Sequence, residues 1–149
     1  MIYIREAAKP DYKAIISLMK NELGYPDLND SEATKRLEYF RNSDDWETFV
    51  AVVEDEIAGF IGVMKNMAYN IEGYYSQIMA LAVSEKMKRQ GVGTALVKRV
   101  EEWVASHGIT NITVNSNKRR LDAHAFYEKN GYIKQIAKSF SFAKSLSKV

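Results

Sequence analysis

The sequence predicts a single α/β domain, a mixed sheet of six or seven strands flanked by about four helices. Three observations predict it. Segments with a period of two and segments with a period of 3.6 follow each other in the order β-α-α-β-β-β-α-β-α-β, with room for one further strand. Ile78 to Val83, the long helix after Gly91 and Asn111 to Val114 make a strand-helix-strand unit, whose strands should be parallel with a right-handed crossover. The earlier strands are joined by short turns and should be antiparallel, and 149 residues suffice for one core.

The elements follow in chain order. Ile2 to Glu6 alternates apolar and polar residues as a first strand. Pro10-Asp11 opens a helix with Tyr12, Ile15, Ile16, Met19 and Leu23 on one face, and Gly24-Tyr25-Pro26 stops it. Asp30 or Ser31 can cap a second helix with Ala33, Leu37 and Phe40 inside. Thr48 to Val53 is a strand, Glu54-Asp55-Glu56 a turn, and Ile57 to Ala68 the returning arm of a hairpin. Glu72-Gly73 turns into a strand that ends at Val83. The helix after Gly91 carries Val92, Leu96, Val100, Trp103 and Val104 inward and ends at Gly108. Asn111 to Val114 is a short buried strand, and a helix from about Leu121 to Asn130 ends at Gly131. Tyr132 to Phe142 reads as a final strand or hairpin. There Phe140 and Phe142 alternate with serines and could pair across a homodimer interface or lie in an ordinary edge strand.

Composition excludes several classes. A net charge of +2 gives no reason to expect a nucleic-acid partner. The absence of cysteine excludes disulfides, thiolate nucleophiles and cysteine zinc sites, and two histidines give no reason to expect a metal. No apolar run approaches about 18 residues, so no membrane span is expected. Met1 to Glu6 lacks the basic-then-apolar pattern of a signal peptide, and the expected location is cytoplasmic.

The most informative stretch runs from Ile78 to Leu96: a buried strand, a basic loop, two glycines and a helix start. The first N–H groups of a helix lack internal partners and face anions favourably, and glycine lets a phosphate approach the backbone. A P-loop is excluded because Gly93 is followed by Thr94-Ala95 with no lysine. A dinucleotide turn is disfavoured because Leu96 stands where its third glycine belongs. What remains is another phosphate loop or a plain strand-to-helix turn.

Lys88-Arg89-Gln90-Gly91-Val92-Gly93 resembles the Q/R-x-x-G-x-G/A loop of the GNAT superfamily of acetyl-CoA-dependent N-acetyltransferases. Arg120-Leu121-Asp122-Ala123-His124-Ala125-Phe126-Tyr127, continued to Gly131-Tyr132, resembles that superfamily's C-terminal signature. The order of elements is similar over nearly the whole chain. The resemblance implies the GNAT fold, acetyl-CoA as cosubstrate and coenzyme A as product. It implies that Leu81, Ala82 and Val83 bind the pantetheine arm through their backbone, and that the loop from Lys88 through Arg89, Gln90, Gly91, Val92, Gly93 and Thr94 holds the pyrophosphate. Asn117, Ala123, Phe126 and Tyr127 complete the implied cofactor set, although Asn117 reads equally well as a turn former.

Acetyl transfer needs a positioned thioester, a neutral amine and a proton for the leaving thiolate. The resemblance makes Tyr127 the general acid, a phenol still protonated at neutral pH, and a backbone amide near Leu81 the oxyanion donor. The glutamate that some members carry before the glycine loop is replaced here by neutral Ile78, Met79 and Ala80, so a water chain can serve as base. His124 reads as structural. The acceptor is expected to be a primary amine of a small molecule or peptide. Asn21 to Lys35 and Tyr69 to Tyr75 would shape its pocket, with Glu22, Tyr25, Glu72 and Tyr74 as substrate-binding candidates. The alternative is a CoA-binding regulatory module without turnover.

Overall fold

A computed structural model describes residues 1–147. They fall into two compact units, Met1–Asn115 and a second beginning at Ser116. The first unit contains β1 (Ile2–Glu6), α1 (Tyr12–Glu22), α2 (Asp30–Arg41), β2 (Trp46–Val53), β3 (Glu56–Asn66), β4 (Tyr75–Val83), α3 (Val92–Ser106) and β5 (Ile112–Val114). The strands form one sheet in the order β1-β2-β3-β4-β5. β1 to β4 are antiparallel neighbours, and β4 and β5 are parallel, as the crossover rule requires.

Adjacent residues of β2 point to opposite faces. Val50 joins Phe60 and Ala82 against Tyr12, Ile15, Ile16 and Leu18 of α1 and Ala33 and Leu37 of α2. Phe49 lies under the Arg99 guanidinium of α3, 4.5 Å from its ring centre. The five inward residues expected on α3 are all buried, and Val97 joins them. Leu18 is also buried, although the expected stripe of α1 omitted it. The cap of α2 is Asn29, one residue earlier than expected, with its side chain accepting from the Glu32 N–H at 2.9 Å. Phe40 is only half-buried because it leaves the core to stack on Trp46, with centroids 4.0 Å apart.

The second unit holds α4 (Leu121–Lys129). Tyr132 to Phe142 forms no strand, so the sheet has five strands among the described residues and not six or seven. The reason lies in the phase of its apolar residues. Ile133 and Ile136 are separated by three positions and fall on opposite faces of an extended chain, so no continuous stripe runs on to Phe140 and Phe142. All four side chains are exposed. An isolated strand or hairpin without such a face is marginal.

Where β1 gives way to α1, Asp11 is buried and receives both arms of Arg5, at 2.6 and 2.9 Å, and the Ala8 N–H at 2.8 Å. The Arg5 hydrogen bonds hold the Asp11 carboxyl below the usual range, against the opposing effect of burial. Because its folded pKa is lowered, the contribution is complete above the ordinary carboxylate range and is lost as pH falls through the lower folded value. Asp11→Asn should cost about 2 kcal/mol at pH 7 and progressively less below pH ~4, as measured by urea denaturation across pH.

Candidate active site

β4 and β5 stay paired for only three residues: Ser76 with Ile112, Gln77 with Thr113 and Ile78 with Val114. The paired end is pinned by side chains. Buried Ser76 Oγ donates to the Asn111 carbonyl at 2.6 Å, and Thr113 Oγ1 donates to the Ser76 carbonyl at 3.4 Å. Beyond Ile78, no described strand pairs with the β5-side edge of Met79–Val83. Backbone donors and acceptors along that edge are open to an extended ligand, in the manner of strand addition.

On its other edge β4 is held firmly. Gly59, Phe60, Ile61 and Gly62 pair with Val83, Ala82, Leu81 and Ala80, and then the register slips so that Val63 pairs with Ile78. Met79 is the extra residue of this bulge, and its side chain is exposed. The bulge falls where the sheet parts. Gly59 allows the close approach of β3 to β4, since a Cβ there would lie 2.8 Å from the Ala82 carbonyl oxygen.

The open edge leads into the glycine loop. The Ser84 N–H donates to the Ala58 carbonyl at 2.8 Å, and Glu85–Met87 makes one short turn. Arg89 and Gly91 take left-handed backbone conformations, with φ of 65° and 86°. For Gly91 this costs little, and for Arg89 it is strain of the kind that collects at binding loops. Gly91 is the N-cap of α3 and offers no side-chain acceptor. The first backbone bond runs from the Ala95 N–H to Gly91 at 3.0 Å, so the N–H groups of Val92, Gly93 and Thr94 have no backbone acceptor among the described residues. Three free donors at the positive end of a 15-residue helix form an anion cradle.

The Lys88 side chain is already engaged. Its ammonium lies 2.8 Å from Glu85 and 3.2 Å from Glu22, and these contacts, Glu85 first, raise its pKa. Glu22, expected to face an acceptor, is mostly buried in this ion pair. Tyr74 is also partnered, with the Lys65 ammonium 4.2 Å from its ring centre. Tyr25 and Glu72 are exposed and have no side-chain partner among the described residues.

In the second unit, Asn117 forms a turn. Its Oδ1 accepts the Arg119 N–H at 2.9 Å, and its carbonyl accepts the Arg120 N–H at 3.0 Å and His124 Nε2–H at 2.7 Å. His124 therefore ties α4 to the loop before it, a structural task. Ala123, Phe126 and Tyr127 are half-buried on α4. The Tyr127 ring meets Phe126 and Tyr132 edge-on, at 5.3 and 5.9 Å. Burial raises its phenol pKa, opposed by the charge of Arg120. Sequence reasoning missed Ser116, whose buried Oγ has no hydrogen-bond partner among the described residues. A lone serine carries no spacing signal. The Met79 bulge and the Lys88–Glu22 pair were equally silent, since both depend on register and contact.

An open groove of about 920 Å³ lies elsewhere on the first unit, lined by residues that include Lys9, Tyr12, Lys35, Glu38 and Tyr39. Glu38 accepts from Tyr12 at 2.7 Å and is flanked by Lys9 and Arg41, so its charge is satisfied internally. Among the described residues no cluster of three or more His, Asp or Glu could hold a metal.

The model of the acetyltransferase (GNAT) family matches residues 5–132, across both units. The chain is 30% identical over 138 residues to an aminoalkylphosphonate N-acetyltransferase of Salmonella typhimurium strain LT2, covering 91% of this chain and 82% of that protein. A crystal structure of a GNAT family acetyltransferase of Staphylococcus aureus is similar with a TM-score of 0.75 at 28% identity, over 97% of this chain and 98% of that one. An aminoglycoside N-acetyltransferase in complex with CoA shares the fold with a TM-score of 0.84 at 15% identity, over 97% of this chain and 96% of that one.

The two β3 glycines give a paired test of the strand geometry. Gly59→Ala drives a Cβ into backbone that cannot yield, whereas a Cβ at Gly62 meets nothing within 4 Å. Gly59→Ala should destabilise by about 2 kcal/mol and Gly62→Ala by less than about 0.5 kcal/mol, compared by urea denaturation midpoints.

Proposed function

The chain belongs to the acetyltransferase (GNAT) family and is an N-acetyltransferase of it, and on that premise we propose that it moves the acetyl group of acetyl-CoA onto a small primary amine by direct attack. The observation that carries this reading is the continuity of two unfilled backbone surfaces. The open edge of Met79–Val83 leads through residues 84–91 into the uncapped start of α3. An extended arm of amides ending in a pyrophosphate has the chemistry both surfaces require.

In this reading Leu81, Ala82 and Val83 hold the pantetheine amides, and Gln90 to Thr94 hold the pyrophosphate through backbone N–H groups. A backbone N–H near Leu81 stabilises negative charge on the thioester oxygen as it develops. The ammonium first loses one proton to water, the neutral nitrogen then bonds to the carbonyl carbon, the C–S bond breaks, and Tyr127 gives its proton to the departing sulfur and is reprotonated from water. The raised phenol pKa keeps that proton in place at neutral pH. The nitrogen's surplus proton leaves to water, since β4 has no carboxylate from Tyr75 to Val83 and Glu22 is paired with Lys88. Without cysteine there is no thiol to carry the acetyl group, which agrees with direct transfer.

The acceptor is read from two sources. The relative from Salmonella is named for aminoalkylphosphonates, and a structure sharing the fold is named for aminoglycosides, both amine-bearing small molecules. Tyr25 and Glu72 are the candidates left unpartnered to meet such a cation. A thiol-release assay over aminoalkylphosphonates, aminoglycosides, polyamines, amino acids and peptides tests this. Amine-dependent release is expected, and acetyl-CoA binding with no release for any amine would sink the proposal.

Tyr127→Phe isolates the acid. The expected result is a fall of about 10²-fold in kcat, with acetyl-CoA affinity changed by less than about threefold. Its rate loss should shrink with acyl donors whose leaving thiol is more acidic.

A further inference from the structure

Lys65 is the one lysine whose whole residue is buried among those described, and no step of the transfer chemistry uses it. Lysine is rarely buried without a partner. Here the stem lies on β3, and the ammonium is held between the Asp45 carboxylate at 3.0 Å and the face of Tyr74, 4.2 Å from the ring centre. The Lys65 N–H also donates to the Asp45 carbonyl at 2.8 Å, so one residue grips Asp45 at both main chain and side chain.

The register explains why the grip reaches Tyr74. Lys65 pairs with Ser76, and two residues before Ser76 stands Tyr74, a diagonal cross-strand neighbour on the same face. Ser76 is itself the first β4 residue paired with β5. Lys65 therefore fixes the exit of the Met67–Tyr74 segment at the point where the β4–β5 pairing begins. The segment has little else to hold it: Met67, Tyr69, Ile71 and Tyr74 are all exposed.

We propose that Lys65 is a positioning residue for the amine acceptor: through its contacts with Asp45 and Tyr74 it sets the conformation of the 67–74 segment that forms one wall of the acceptor site. This rests on the proposed acetyl transfer. The Tyr74 face turned toward Lys65 already holds a cation, so Tyr74 serves the acceptor as a fixed wall and not as the seat of its ammonium.

The test compares Lys65→Met, which keeps the stem, with Lys65→Arg, which keeps the charge. Two readouts are taken: amide hydrogen exchange over residues 67–74, and the steady-state constants with the best amine. Lys65→Met should raise exchange in that segment by about fivefold. It should raise the amine KM by about fivefold, leave kcat and the acetyl-CoA KM within about twofold, and be substantially rescued by arginine. Tyr74→Leu should raise the amine KM similarly and add little on top of Lys65→Met, since the two share one contact. Unchanged exchange in Lys65→Met overturns the proposal. So does a loss confined to kcat, or exchange raised across the whole sheet with no rescue by arginine. If the wild type releases no thiol with any amine, the acetyl-transfer reading falls and takes the acceptor role with it. The exchange data then decide separately whether Lys65 orders the segment.

Discussion

Everything at the candidate site depends on where the parallel pairing of β4 and β5 stops. A strand inside a sheet has both edges satisfied, and a strand at its margin exposes one edge along its whole length. β4 does neither. It is paired on the β3 side at every residue except Met79 and paired for three residues on the β5 side, after which that edge is open. The buried Ser76–Asn111 hydrogen bond closes one end of the pair, so the strands part in one direction only. The open backbone lies next to the glycine loop because β4 feeds that loop directly.

Holding half of a strand open requires that the other half be firm. Gly59 lets β3 approach β4 closely, and the Met79 bulge changes the twist where the parting begins. Below the sheet, Phe60 and Ala82 are locked into the α1–α2 cluster. The helix whose N-terminus would receive an anion is anchored by six buried residues along its length, so its free N–H groups are presented by a rigid body. Preorganised donors of this kind need little rearrangement when charge arrives.

The parts of this arrangement that follow from local patterns were legible in the sequence. The stripe of α3, the hairpin of β2 and β3, the crossover and the glycine loop each rest on periodicity or on a residue type with one obvious use. What escaped was set by register or by contact. Nothing in Met79 announces a bulge, because a bulge is a relation between two strands. Glu22 and Tyr74 read as open acceptor contacts, yet Lys88 and Lys65 occupy them from distant positions in the chain. The expected final strand failed for a local reason that was visible: Ile133 and Ile136 are out of phase for a single face. The error came from counting alternation in short pieces.

The Lys88–Glu22 pair bears on the missing carboxylate base. A carboxylate serves as a base only if its lone pairs are available and its charge is not already spent on a cation. Glu22 is mostly buried and paired with the Lys88 ammonium, so taking up a proton would cost it that ion pair. Glu72 is exposed to water. In the proposed reaction the nitrogen becomes strongly acidic once it has bonded to the acyl carbon, and water can then accept its proton. The harder demand falls on the leaving sulfur, which must be protonated away from bulk solvent. Burial of the Tyr127 phenol raises its pKa, which keeps it protonated at neutral pH but also makes it a weaker donor to the thiolate. In the proposed reaction, the demand for an acid is therefore greater than the demand for a carboxylate base.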